Sequence, residues 1–132
     1  MNRTLSYWGP VISYAGVIFY LSSIPFLTPP ALGGIVWVQI DPDQLILHLF
    51  EYSLLGFLLL RAVINSRAPH YAESALALAV VLGFLYGVTD EVHQYFVPNR
   101  TASFFDVLAD GLGSFIGAYI RRDFWHLPKI LR

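Results

Sequence analysis

Apolar residues fall into four long runs, separated by polar or proline-containing stretches. The first covers roughly 8–27, "WGPVISYAGVIFYLSSIPFL", and the second roughly 44–64, "QLILHLFEYSLLGFLLLRAVI". The third covers roughly 72–96 and the fourth roughly 104–120, "FFDVLADGLGSFIGAYI". Each approaches the length of about 20 mostly apolar residues that crosses a hydrocarbon core. In lipid the backbone must pair its own polar groups within the segment, so helices are predicted rather than strands. The pattern predicts an all-α integral membrane protein, a single domain over 1–132 built as a bundle of four transmembrane helices. The stretch "IPFLTPP" after the first run lacks a small-residue cleavage site, so that run reads as a retained helix.

Basic residues orient the bundle. Arg3 precedes the first helix, Arg61 and Arg67 flank the second loop, and Arg121, Arg122, Lys129 and Arg132 follow the fourth helix. The third loop has Arg100 alone, and the first loop, 28–43, has Asp41 and Asp43 but no basic residue. This asymmetry predicts both termini in the cytoplasm, in a bacterial plasma or inner membrane. The first loop carries Trp37 and reads either as an outer-surface lid or as a plain connector. The tail "RRDFWHLPKILR" reads as an anchor on the anionic inner leaflet.

In that topology the polar residues inside the apolar runs all arrive at the outer end. Helix one brings Ser22 and Ser23, and helix two brings His48, Glu51 and Tyr52. The third run ends in "GVTDEVHQYFVPNR", residues 87–100, with Asp90, Glu91, His93 and Gln94. Helix four begins with Asp106 and Asp110, and Arg100 lies in the loop before it. A charge at mid-membrane depth costs about 2.5–3.5 kcal/mol on insertion scales, so such a convergence points to a site. Helical spacing aligns Gly83, Gly87, Asp90 and Gln94 on one face, and Asp106, Asp110, Gly113 and Gly117 on another. It also aligns His48, Glu51, Tyr52 and Leu55 on helix two, and Gly9, Ser13, Gly16, Tyr20 and Ser23 on helix one. Small residues deeper along these faces predict close packing beneath an outward-opening polar cup. Glu91 and His93 lie off the Asp90/Gln94 line, so at least one of them is expected to face a loop or a neighbouring helix.

Composition narrows the chemistry. The chain is 56% hydrophobic and 13% charged, with mean hydropathy +0.58, net charge −1 and no cysteine. A basic stripe for nucleic acid is missing, and disulfide or thiolate chemistry is excluded.

Several readings of the cup stay open. As a binding site it offers Ser22, Ser23, Tyr52, Gln94, Arg100, Asp106 and Asp110 to a ligand, with Arg100 suited to an anionic group. As a catalytic site it offers His48, Glu51, Asp90 and Glu91 for acid–base work. As a metal site, Asp90, Glu91 and His93 supply hard oxygen and imidazole donors for a divalent ion. No cofactor other than such an ion is implied. The alternative is a purely structural polar network that fixes the helices, with Arg100 paired to Asp106 or Glu91. A proton relay across the bilayer is disfavoured, because the inner halves of helices one, three and four carry nothing titratable.

The chain resembles the VanZ-like family of small bacterial membrane proteins. "SSIP", Ser22 to Pro25, resembles a serine-rich motif after the first helix. "DPDQLILHLFEYSLLGFLL" resembles a pattern matched by Asp43, His48, Tyr52 and Gly56. "GVTDEVHQYFVPNRTASFFDVLADGLGSFIG" resembles a longer pattern matched by Asp90, Glu91, Gln94, Phe96, Pro98, Arg100, Asp106 and Gly113. Gln44 stands where the family usually has lysine, and Asp110 where it often has asparagine, so this site is more acidic. The resemblance implies a role like the glycopeptide-resistance accessory that lowers sensitivity to teicoplanin. The acyl-transfer label carried by some relatives fits a four-helix membrane protein badly. The expected partners are membrane lipids and a cell-wall lipid intermediate, phospholipid head group or lipoglycopeptide at the outer leaflet. The alternatives are a membrane-embedded hydrolase or transferase on a lipid-linked substrate, and a structural membrane partner.

Overall fold

A computed structural model describes residues 3–25, 41–66 and 72–126. Trp37, Arg67, Lys129 and Arg132 lie outside the described residues, as do the proposed lid and most of the C-terminal anchor. The described chain is all-helical: α1 (Arg3–Ser22), α2 (Pro42–Asn65), α3 (Ala72–Tyr95) and α4 (Phe104–His126).

Local chemistry sets the helix ends. Asp41 caps α2, its carboxylate accepting from the backbone N–H of Asp43 at 3.1 Å and of Gln44 at 3.4 Å. Pro42 fills the first turn, where a missing N–H costs nothing. Asp41, Pro42 and Asp43, expected in the first loop, therefore start the second helix. Ser103 precedes α4 and accepts from the Val107 N–H, and Asp106 places a negative charge in the helix's first turn. Between α3 and α4 the chain turns at Val97–Arg100, closed by a 3.2 Å bond from the Arg100 N–H to the Val97 carbonyl. Asn99 takes φ 61°, the left-handed region that position i+2 of a type II turn requires, after a proline at i+1.

The helices alternate in direction. Trp8 near the start of α1 donates to Ser66 just past the end of α2 at 2.7 Å, and Arg61 sits 5.1 Å from the Tyr7 ring. At the other end Ser22 of α1 meets Asp90 of α3, and His48 of α2 meets Asp110 of α4. Helices α2 and α4 form the tightest pair, α3 packs on both, and α1 lies against α2 and α3 only.

Glycines make the α2–α4 approach possible. A Cβ on Gly113 would strike the Leu49 carbonyl, and one on Gly117 would strike the Ser53 carbonyl. Gly83 and Gly87 of α3 receive the side chains of Ser114 and Asp110. On α1 the expected small-residue face is not the packed one. Gly9 and Gly16 have open space beside them, and the buried positions are Val11, Ile18 and Ser22. Apolar bulk decides this contact, since α1 meets α2 and α3 through Ile18 and through Tyr86, whose hydroxyl donates to the Ala15 carbonyl at 2.6 Å.

The core is apolar and narrow, built on Ile18, Tyr52, Leu55, Leu59, Ala62, Ala79 and Ala118. The outside is also apolar: Leu5, Ile12, Phe50, Val92, Phe96 and Leu112 are all more than half exposed. Two helical stretches, Pro42–Asn65 and Ser74–Tyr95, are long and apolar enough to cross a membrane. The other two expected spans fall short of that criterion, because Asp106 and Asp110 dilute α4 and tyrosines and serines dilute α1.

Candidate functional site

The polar residues collect at one end of the bundle, where α1 and α3 finish and α2 and α4 begin. The second turn of α2 delivers His48 and the second turn of α4 delivers Asp110, both fully or almost fully buried. His48 Nδ1 lies 2.8 Å from Asp110 Oδ1. An ionised carboxylate only accepts, so Nδ1 is the donor, and a neutral ring then presents its Nε2 lone pair on the other side. That nitrogen faces Glu91 of α3, whose Oε1 is 3.9 Å away, beyond hydrogen-bonding reach. The other oxygen of Glu91 accepts from the Ser103 backbone N–H at 2.7 Å. Glu91 thus ties the end of α3 to the start of α4. The His48 ring also lies nearly parallel to that of Tyr52, one turn on, with an interplanar angle of 7°.

Asp90 forms a second set of contacts. Its Oδ1 accepts from Ser22 at 2.5 Å and its Oδ2 from Gln94 at 3.1 Å. The first of these bonds joins α1 to α3, and the second spans one turn of α3.

The neighbouring serine takes His93. Ser23 donates to the Phe19 carbonyl at 2.7 Å, so its oxygen accepts from His93 Nε2 at 2.9 Å. The His93 ring stacks on Phe19 with centroids 4.2 Å apart. Of the two off-line residues on α3, His93 faces α1 and Glu91 enters the interior.

Arg100 is held by the chain itself. Its Nε donates to the Ile24 carbonyl at 3.1 Å and its terminal nitrogen to the Leu21 carbonyl at 2.9 Å. The Leu21 carbonyl also accepts from the Ile24 N–H at 3.1 Å, so Arg100 adds to the turn that ends α1. Burial draws the Arg100 guanidinium below its ordinary value, while Asp90, Glu51, Glu91 and Asp106 push it back up. Glu51 is half-buried and within electrostatic reach of His48, Asp90 and Arg100. Asp106 is buried near His48 and Arg100.

Among the described residues, five buried side-chain atoms in and beside this cluster have no hydrogen-bond partner: Tyr52 OH, Glu91 Oε1, Asp110 Oδ2, Ser103 Oγ and Ser114 Oγ. Ser103 and Ser114 were not among the sequence candidates. Ser103 carries a readable signal, since "SFFD" matches a helix-start pattern of serine with an acid three residues later. Ser114 lies one turn past Asp110 on the same face. Among the described residues one group suits a metal ion: His48, Asp90 and Glu91 offer one donor atom each, all within 4.8 Å of one another. His93, expected in that set, is engaged with Ser23 instead.

An all-helical chain with an apolar exterior, two span-length apolar helices and buried carboxylates at one end has the character of a membrane protein. The chain belongs to the VanZ/LLP1 family, whose family model matches residues 11–126. That match covers α2, α3 and α4, α1 from Val11 onward, and every residue of the cluster. No curated protein and no solved structure shows significant similarity to the chain.

Proposed function

We propose that this VanZ-like protein crosses a bacterial cytoplasmic membrane with all four helices, both termini inside, and recognises the head group of a cell-envelope amphiphile at the outer leaflet. The ligand class is a cell-wall lipid intermediate, a phospholipid or a lipoglycopeptide such as teicoplanin, in a role like glycopeptide resistance. One observation carries this reading: Tyr52 OH, Glu91 Oε1 and Asp110 Oδ2, from three different helices, are buried without partners. Folded proteins pair more than about 90% of such groups, and each unpaired one costs about 1–3 kcal/mol. A head group carrying both hydroxyl or amine donors and an oxygen acceptor would satisfy all three. The apolar tail would lie along exposed Phe50, Val92 and Phe96.

Native mass spectrometry of the gently purified chain tests this. Retained amphiphile is expected in the wild type and much less in Tyr52→Phe, which removes the hydroxyl and nothing else. In cells, teicoplanin tolerance should fall in Tyr52→Phe at equal protein level. Equal retention and equal tolerance would remove the hydroxyl from recognition and with it this reading.

His48 supports a second reading. Its ring stands between Asp110 and Glu91, an arrangement that holds an imidazole for general acid–base work on a lipid-linked substrate. Release of a cleaved or transferred product from labelled envelope lipid, lost in Glu91→Gln, would favour a hydrolase or transferase over a binder. The contacts of Asp90 with Ser22 and Gln94 fix its carboxylate at this end of the bundle.

A further inference from the structure

We propose that His48, Asp90 and Glu91 bind a divalent first-row metal ion of the zinc or manganese type, with Asp110 orienting the His48 ring. The inference rests on the polar end being a ligand site and names one component of what it holds.

Distance is the first argument. Ligand bonds to such ions are about 2.0–2.2 Å and the usual geometry is tetrahedral, so two ligands on one ion stand about 3.3–3.6 Å apart. The three donor atoms lie within 4.8 Å of one another, so side-chain shifts of about an ångström would close the set. His48 Nε2 and Glu91 Oε1, at 3.9 Å, are too far apart to share a proton and spaced to share an ion.

The unpaired oxygen is an independent argument. Glu91 is 5% exposed, and its Oε1 faces His48 Nε2 with no hydrogen-bond partner. Its other oxygen is fixed by Ser103, so the free one is aimed rather than adrift.

Each proposed ligand has a positioning partner. Metal-bound histidines usually donate their second nitrogen to a carboxylate, which sets the tautomer and the ring angle. Asp110 stands in that position on His48 Nδ1, at 2.8 Å. Ser22 and Gln94 hold Asp90, whose oxygens each keep a second lone pair.

Donor type narrows the ion. One imidazole and two carboxylates suit zinc and manganese, and the chain has no cysteine for softer metals. Three protein ligands leave a coordination position open, as in sites that take up water or a ligand oxygen.

The test uses the full chain in detergent, stripped with a chelator, freed of it, and titrated with Zn²⁺ and separately with Mn²⁺. Calorimetry and elemental analysis of the desalted protein read binding. One equivalent of either ion per chain is expected. Glu91→Gln, close to isosteric, and His48→Gln should bind at least ~10-fold more weakly. Asp110→Asn should lose about 10–100-fold, the usual loss when the partner of a metal-bound histidine is removed. His93→Ala should bind like the wild type. No stoichiometric uptake of either ion by wild-type chain of native helix content, undiminished binding by Glu91→Gln, or loss of the ion in His93→Ala would each overturn the proposal. Mass spectrometry of the stripped chain reads lipid independently. Lipid without metal uptake discards the ion and leaves the amphiphile; metal uptake without lipid establishes the ion and discards the amphiphile.

Discussion

His48 Nδ1 and Asp110 Oδ1 meet at 2.8 Å in the interior, joining α2 to α4 across 62 residues of chain. Neither side chain has useful access to water, since His48 is 3% exposed and Asp110 not at all. Removing the acceptor leaves the buried Nδ1–H without a partner, which typically costs about 1–3 kcal/mol. Asp110→Ala is therefore expected to lower the melting temperature in detergent sharply. Asp110→Asn keeps an oxygen that accepts from Nδ1 and should cost clearly less. Thermal unfolding followed by circular dichroism separates the two, and equal losses would show that the Nδ1–oxygen hydrogen bond contributes little here.

The glycines make opposite predictions according to helix. Gly117→Ala drives a methyl group into the Ser53 carbonyl, so α2 and α4 must move apart. Overpacking of this kind costs about 1–3 kcal/mol. Gly16→Ala meets open space, and alanine is favoured over glycine in a helix by about 0.5–1 kcal/mol. Paired melting curves should move in opposite directions.

Asn99 is the hinge of the turn that presents Arg100 to α1. At φ 61° a side chain branched at Cβ is strained, whereas glycine is at ease. Asn99→Val should destabilise the protein by about 1–2 kcal/mol. Asn99→Gly should stay close to wild type. Hydrogen exchange at the end of α1, around Leu21 to Ile24, should speed up in Asn99→Val, as Arg100 loses its hold on those carbonyls.

The membrane orientation is open to a direct check. A reporter fused after Arg132 should give a cytoplasmic signal, and one inserted between Trp37 and Asp41 an external one. The reverse pattern would put the polar end on the cytoplasmic side and exclude an outer-leaflet ligand.

Helix number and the faces of α2, α3 and α4 were legible because two signals agreed on them. On α3 the line Gly83, Gly87, Asp90, Gln94 is both small or polar and buried, and so is Asp106, Asp110, Gly113, Gly117 on α4. On α1 the signals disagreed. The Gly9–Gly16 spacing resembles a packing face, but Val11, Ile18 and Ser22 share a face as well, and only the partner surface decides between them. His93 and His48 show the same limit in the site. Both precede or follow an acid at helical spacing, which made Asp90, Glu91 and His93 look like one ligand set. Which histidine joins Asp90 and Glu91 depends on α2 lying across from α3, a tertiary fact that spacing along one helix does not contain. The contacts of Arg100 with the Leu21 and Ile24 carbonyls were not legible either, because backbone acceptors leave no mark in the side-chain pattern.

The order of the helices has a consequence for how the molecule is made. A ribosome delivers α4 last, yet α4 carries Asp110 for His48, the Ser103 N–H just ahead of it for Glu91, and the glycine surface on which α2 closes. Until it arrives, a growing chain holds His48 and Glu91 without these counterparts. Completion of the polar end therefore waits on α4, and a chain broken off before it leaves the His48 and Glu91 groups unpaired.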